Sequence, residues 1–437
     1  MFSSTSSRAR NLARALFAEP LGIIRSFEGN AKGCLIVEPL WGISYNLYAP
    51  YVGLYMLALG CSETQIGLIS AVSLGFQMVF ALVSGYITDR LGRRKTSLIF
   101  DVIGWSIPSL IWAAAWGFEA FLIAGSINAI FRIVHTSWNC LLIEDSAPEQ
   151  RVHVYTYVYI AGILSGFFAP LAGLMVSSWT LVPAVRVLYL FAFVAMSAMF
   201  VIRNKLTKET RIGLVKIEET KLVPFRTEYR AVFRDYGRIL KIISGNPIII
   251  IAFLMELAAN IQLVLKTNFL AILLNKSLGF PAASIALFPA VQSVIMLAVF
   301  MFVIPRIGGR DPIKPLIVGY LLIVAGWVML ILTSGTNYGL VILSTIITAL
   351  GTAVVAPTVD SLMANSVQDE DRARLTSILY VFLFGLSAPF GYLGGVLSAI
   401  SPKLTFVLVT ATAVAGIVLT LMMSRHRPEP HAFAGNS

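Results

Sequence analysis

Apolar residues fill this chain in blocks of membrane length, broken by short polar turns. Twelve such blocks lie near 31–58, 64–88, 96–117, 119–143, 153–178, 183–202, 247–275, 281–304, 315–334, 338–363, 375–399 and 403–424. A helix needs roughly 20 apolar residues to cross a hydrocarbon layer, and each block is about that long. The blocks are continuous rather than alternating, which excludes a closed β-barrel. The pattern predicts an all-α integral membrane protein with twelve transmembrane helices. One long polar segment, 203–246, divides it into two six-helix bundles, 31–202 and 247–424, with an N-terminal segment 1–30 and a tail 425–437.

The halves repeat. Gly29-Asn30 before the first block matches Gly245-Asn246 before the seventh, and Ile66–Val72 (IGLISAV) matches Ile285–Val291 (IALFPAV). Asp89–Arg94 (DRLGRR) matches Pro305–Arg310 (PRIGGR), and Arg151 with Tyr159 matches Arg372 with Tyr380. The offset stays between about 216 and 221, the mark of an internal duplication. In transporters built of such repeats, the substrate site lies near the midplane between the halves.

Composition agrees with the pattern. Of 437 residues, 57% are hydrophobic and 13% charged, where soluble domains average about 25% charged. The net charge of +11 is topological rather than a nucleic-acid footprint. Apart from Arg132 and Lys266 inside helices and Arg186, Lys276 and Lys403 in the opposite loops, all 33 lysines and arginines fall on one side. The positive-inside rule makes that side, with both termini, cytoplasmic. The protein is then a multi-pass protein of the plasma or inner membrane. In 203–246, Phe225, Tyr229, Val232, Phe233, Tyr236 and Leu240 recur at helical spacing, beside a stripe of Arg226, Arg230, Arg234 and Arg238. That basic edge suits anionic inner-leaflet lipid, with a solvated linker helix as the alternative. Residues 1–30 read either as a short amphipathic helix or as a tail.

The densest polar stretch between two blocks is Gly85–Lys95, GYITDRLGRRK. Glycine, three residues, Asp-Arg, one residue, Gly-Arg and a further basic residue resembles the signature loop between the second and third helices of the major facilitator superfamily. Gly85, Asp89, Arg90, Gly92, Arg93 and Arg94 fill that pattern. Gly85 is expected to let helix 2 approach a neighbour closely. The resemblance implies a cytoplasmic gate in which Glu144 or Asp145, ending helix 4, pairs with Arg93 while Asp89 caps the inner end of helix 11. In the second half Pro305 replaces the aspartate. A gate there would rest on Arg306, Arg310, Asp369 and Asp371. The twelve-helix, two-repeat fold around a central cavity follows from the same resemblance, as does alternating access.

Charges inside the blocks are the candidate chemistry, because each costs roughly 2.5–3.5 kcal/mol at the bilayer centre on insertion scales. Glu38 and Glu256 are repeat mates on helices 1 and 7, which line the cavity in the superfamily. Removal from water disfavours the charged form of a carboxylate, a property that suits a proton carrier; a structural, hydrogen-bonded carboxylate is the alternative. Arg132 lies near the middle of helix 4 and is similar to the arginine of the superfamily's helix-4 motif. That motif's following Gln and Gly are His135 and Thr136 here. Arg132 suits an anionic or hydroxyl-rich solute, or a permanent acid partner. Asn46, Asn260, Gln262, Asn139 and Asp360 add polar groups, as do Trp41, Tyr45 and Gln77. Lys266 in the outer half of helix 7 is expected either to snorkel outward or to serve the cavity. Helix 5 carries Gly162, Gly166 and Gly173, but Ala169 and Leu174 stand where the exporters' signature has glycine.

No GxxxxGK[ST], HExxH or nucleophile elbow is present, so no ATP motor or enzyme is read. Cys34, Cys61 and Cys140 are scattered without metal spacing; no cofactor or metal is expected. The sequence reads as a monomeric secondary carrier of a small organic solute, with the proton as coupling ion. Its alternatives are a proton-coupled multidrug exporter, a passive channel, and a receptor or scaffold on the same fold.

Overall fold

A computed structural model describes residues 27–221, 245–304, 311–365 and 372–425. Among them every regular element is helical. Helix α1 runs Gly29–Tyr48, tightens to a 3-10 turn at Ala49–Tyr51 and continues as Val52–Ala58. Eleven further helices are long and apolar enough to cross a membrane: α2 Glu63–Leu91, α3 Arg93–Ala113, α4 Phe118–Ile143, α5 His153–Trp179, α6 Leu181–Leu206, α7 Pro247–Ser277, α8 Ala282–Phe302, α9 Ile313–Leu332, α10 Tyr338–Met363, α11 Ile378–Ile400 and α12 Pro402–Arg425. Helix α1 carries Asn30, Lys32, Glu38 and Asn46.

Local chemistry sets the ends and breaks. Ser62 and Gln65 form a reciprocal capping box that starts α2. The Asn246 side chain accepts from the Ile248 and Ile249 amides and starts α7. The 3-10 turns at Ala49–Tyr51 and Gly166–Phe168 sit at Pro50 and Pro170, which lack the amide that a continuous ladder needs. Between α2 and α3 the chain turns at Gly92 with φ +84°, a region that favours glycine.

The halves meet along α2 and α11, α5 and α8, and α1 and α7. A Cβ on Gly67 of α2 would lie 2.8 Å from the Gly391 carbonyl oxygen and from the Gly395 Cα of α11. A Cβ on Gly53 of α1 would lie 2.0 Å from the Asn268 carbonyl oxygen of α7, and one on Gly173 of α5 would lie 2.5 Å from that of Ala283. These contacts cluster toward the Glu63 end of α2, where the two helix backbones meet directly. Toward the Asp89 end, no described residue lies within 4 Å of the Gly85 Cβ position. Among the described residues the close backbone approach of α2 to α11 is at Gly67.

One carboxylate fastens the closed end. Glu63 is 3% exposed. It accepts from Lys276 Nζ, at 2.5 Å, in the last turn of α7, and from the Ser398 hydroxyl on α11. Its position in the first turn of α2 also places its charge where the helix dipole favours it.

Adding a Cβ at the α2–α11 contact is expected to cost about 1–3 kcal/mol, the usual range for overpacking. Gly395→Ala and Gly67→Ala should each lower the thermal midpoint in detergent, whereas Gly85→Ala should not. Equal midpoints for all three variants would remove the contact's assigned role. Glu63→Ala should loosen the same end. The buried Cys61 thiol, two residues away, should then react faster with a maleimide in a Cys34→Ala, Cys140→Ala background. An unchanged labelling rate would show that the carboxylate is not the fastener.

Candidate functional site

A cavity of about 450 Å³ opens between α1, α5 and α8, lined among others by Glu38, Trp41, Asn46, Tyr159, Gln292 and Met296. Glu38 is half-buried and makes no hydrogen bond or ion pair among the described residues. Asn46 spends one N–H on the Gly42 carbonyl, 2.8 Å away, one turn back. The Trp41 ring stacks on Tyr45 with centroids 5.2 Å apart.

Lys266 belongs to this region and does not snorkel outward: its Nζ donates to the Gln292 Oε1 of α8. The long side chain turns inward because a polar acceptor stands across from α7. Gln292 in turn donates to the Met296 sulfur at 3.4 Å, a weak contact.

Arg132 sits where α4 changes register. Regular helix pauses at Ala129–Ile130, after Asn128 has turned its amide to the Gly104 carbonyl of α3 at 2.7 Å. Beyond the pause, Arg132 Nε donates to Gln77 Oε1 on α2 at 2.9 Å. The guanidinium lies 4.0 Å from the Phe384 ring centroid of α11 and 4.6 Å from that of Phe131. Cation–π contact lowers the cost of the buried charge without neutralising it. No carboxylate lies within ion-pair distance of Arg132 among the described residues. His135, one turn on, sets its ring edge against Tyr380 of α11 at 5.8 Å. The Asn139 amide donates to the His135 carbonyl at 2.7 Å.

The second half brings two carboxylates to the same level. Glu256 on α7 is half-buried and Asp360 on α10 is exposed; neither makes a hydrogen bond or ion pair among the described residues. They lie within electrostatic range of each other. The Tyr380 phenol senses Glu256, Arg132 and Asp360 together. Asn260 is occupied, donating to the Ser387 hydroxyl at 2.8 Å; Gln262 makes no hydrogen bond among the described residues. His135 thus meets Tyr380 where α4 and α11 face each other, with Arg132, Glu256 and Asp360 within electrostatic range of that phenol, while Glu38, Asn46 and Gln292 line the cavity and Lys266 reaches it through Gln292.

Sequence reasoning missed one charged pair. Asp101 of α3 and Arg203 of α6 form a buried ion pair, each side chain 4% exposed. Arg203 falls at the start of the linker 203–246, and Asp101 lies inside the third block, 96–117. Their signal was an acid and a base within one turn of two apolar edges on the same side. They neutralise each other and leave Glu38, within their electrostatic range, unpaired.

The signature loop is tied down from several directions. Arg93 is 4% exposed and holds Glu144 in a fork: Nε to Oε2 at 3.0 Å and Nη2 to Oε1 at 3.0 Å. Glu144, not Asp145, is its partner. Asp145 accepts from Asn30 Nδ2 at 3.1 Å. Asp89 pairs with Arg93 at 2.8 Å; the residues leading into the inner end of α11, where its expected cap would fall, lie outside the described residues. Arg94 donates to the Asn204 carbonyl at 2.8 Å and Arg90 to the Tyr86 hydroxyl. A further acid, Glu209, accepts from the Arg93 and Arg94 amides at 2.8 and 3.0 Å and so caps α3. It leads into a linker helix, Arg211–Lys221. This network lies within the first half and the linker, so by itself it does not join the halves.

Arg226, Arg230, Arg234, Arg238, Pro305–Arg310, Asp369 and Asp371 lie outside the described residues, as do positions 1–26 of the N-terminal segment. No group of three or more His, Cys, Asp or Glu suited to a metal occurs among the described residues.

Comparison with known proteins places this geometry. The sequence profile of the Major Facilitator Superfamily matches residues 40–343 and 267–436. The uncharacterized MFS-type transporter YqjV of Bacillus subtilis (strain 168) is 26% identical over 147 residues, 33% of this chain and 36% of that protein; the match thus spans little more than a third of that relative's length. Among solved structures, a POT family transporter in complex with a thioalcohol-conjugated peptide superposes with TM-score 0.66 at 14% identity, covering 92% of this chain and 98% of that one. The nucleoside transporter NupG superposes with TM-score 0.64 at 13% identity, covering 92% and 100%. At such identities the likeness is one of fold. The profile spans both halves, and the chain therefore belongs to the Major Facilitator Superfamily: a multi-pass membrane transporter of twelve helices in two repeats, and not an enzyme.

Proposed function

We propose that this protein is a secondary active carrier that moves a small polar organic solute by alternating access and is driven by protons. The observation that carries the reading is Arg132: a guanidinium between the halves, held by one amide and two ring faces, with no carboxylate to neutralise it. Such a charge is costly in an apolar bundle, and a transported anionic or hydroxyl-rich group is the partner the site lacks. The solved neighbours are transporters of small polar molecules, a peptide conjugate in one and nucleosides in another, which is in keeping with that size and polarity.

Glu256 and Asp360 supply the proton site of this reading. Two carboxylates within electrostatic range repel when both are charged, and a proton held by either relieves the repulsion. Arg132 is sensed by the same Tyr380 phenol, so solute at Arg132 and proton at Glu256 act on one element, α11. The two bundles, 31–202 and 247–424, rock about the α2–α11 and α5–α8 contacts. The Glu63 fastener is made in the state seen here and released in the opposite one. The bias of lysines and arginines sets the Asp89 end and both termini in the cytoplasm of a cell-membrane carrier. The multidrug-exporter alternative draws no support from helix 5, whose signature is broken at Ala169 and Leu174 and whose Gly166 and Gly173 meet Ser293 and Ala283 of α8.

In a thermal-shift screen, a bound solute at 100 times its dissociation constant adds about 2.7 kcal/mol. Arg132→Ala should weaken organic-anion binding about 10–100-fold, the worth of a charge-assisted bond. Arg132→Lys should not restore it, since an ammonium cannot reproduce the planar contact with Phe384. Lipophilic cations stabilising the wild type, with no anion doing so, would overturn the reading in favour of export. In proteoliposomes, Glu256→Gln should abolish accumulation driven by a pH gradient while solute-for-solute exchange persists. Loss of both together would count against a proton role for Glu256.

A further inference from the structure

The cavity between α1, α5 and α8 has two unlike poles. At one, Glu38 carries a carboxylate with no hydrogen bond or ion pair among the described residues, and the buried Tyr159 hydroxyl has no partner either. The nearest charges to Glu38, Asp101 and Arg203, already satisfy each other. At the other pole stand Asn46, Ser293 and Gln292, with the Lys266 ammonium donating to Gln292 from behind. Asn46 lies eight residues beyond Glu38 on α1, which sets the poles about 12 Å apart along the helix axis. Between them the wall is apolar: Trp41, Val158, Ile163 and Met296.

An uncompensated carboxylate in such a place calls for a cation, and an amide backed by an ammonium calls for an acceptor. Resting on the carrier reading above, we infer that this cavity is a second subsite, separate from the solute site at Arg132, and that it binds a zwitterionic solute. Its protonated amine points to Glu38 and Tyr159, its acidic group to Gln292 and Lys266, and an apolar spacer lies along Trp41. About 450 Å³ is within the range of small-molecule sites. Once the two side chains have reached inward, charges separated by roughly 6 Å fit between the poles. A proton on Glu38 and an ammonium against it exclude each other. Glu38 is therefore the solute's anchor, and the proton site is Glu256 with Asp360.

The test uses purified protein in lipid nanodiscs and proteoliposomes, with 6-aminohexanoate, its N-acetyl derivative, its methyl ester and hexanoate as probes. 6-Aminohexanoate should bind about 10–100-fold more tightly than either capped form, and should exchange across the membrane. Glu38→Gln should reduce its affinity to that of the N-acetyl derivative, and Lys266→Met should reduce it to that of the ester. Each variant removes the preference for one end only, which a general loss of folding cannot imitate. Hexanoate binding as tightly as the zwitterion, insensitive to Glu38→Gln, would overturn the inference and leave an anion carrier standing. The ester binding most tightly, in a manner dependent on Glu38, would overturn it in favour of a cation site. If neither these probes nor any other anion or sugar binds or exchanges, both the inference and the carrier reading fail.

Discussion

Charge inside an apolar bundle has to be answered, and the answers sort this molecule into scaffold and working parts. Asp101 and Arg203 answer each other and are buried together, which makes them structural. Arg93 answers Glu144 and Asp89 and fixes the loop between α2 and α3. Glu63 is answered by Lys276 and Ser398 and ties the halves at one end. Arg132 receives an amide and two aromatic faces, while Glu38, Glu256 and Asp360 receive no bond among the described residues. The bilayer penalises an unanswered charge, and the proposed solute and proton sites rest on these four. The same solvent also demands that backbone groups be satisfied within each helix, which is why nearly all the polar chemistry here is done by side chains.

Close backbone approach is the second constraint, and it is directional. Gly67, Gly391 and Gly395 let α2 and α11 touch near one end, and Gly53 and Gly173 do the same for the other two pairs. Bulkier residues would hold the helices apart and leave a leak. At the opposite end the rings of Tyr159 and Phe300 stack at 4.8 Å, a contact between side chains that can part without unmaking a helix. The halves thus meet through backbone near one end and, at Tyr159 and Phe300, through rotatable groups near the other.

Much of the fold was legible in sequence because membrane-length apolar runs leave the chain few options. The limits of the twelve blocks fall within a few residues of the helices, and the offset between Glu38 and Glu256 foretold their equivalent depth. The site was only partly legible. Arg132 announced itself as a charge in mid-helix, but its partner Gln77 lies 55 positions away and no local pattern joins them. Lys266 read equally as snorkelling, since the direction of a long side chain depends on whether an acceptor stands opposite, and Gln292 belongs to another helix. Gly85 belonged to a motif and Gly67 did not, yet it is Gly67 that faces a backbone. Arg203 escaped notice because it sits in the last turn of α6, where a charge looks solvated until the neighbouring helix is in place; its partner Asp101, two turns into α3, lies 102 positions away and no local pattern joins them.

Glu209 sits outside the apolar blocks, yet its carboxylate substitutes for water at the start of α3, and the following helix, Arg211–Lys221, rests on α2. The first nineteen residues of the stretch that joins the halves, 203–221, are therefore part of the first bundle in all but name. A tether anchored this way begins, in mechanical terms, at Lys221 rather than at the end of α6. Separating the two bundles into independently produced fragments, or inserting a reporter between them, then has a natural place beyond residue 221. A cut nearer α6 would strip α3 of its cap and unseat the loop that α2 and α3 share.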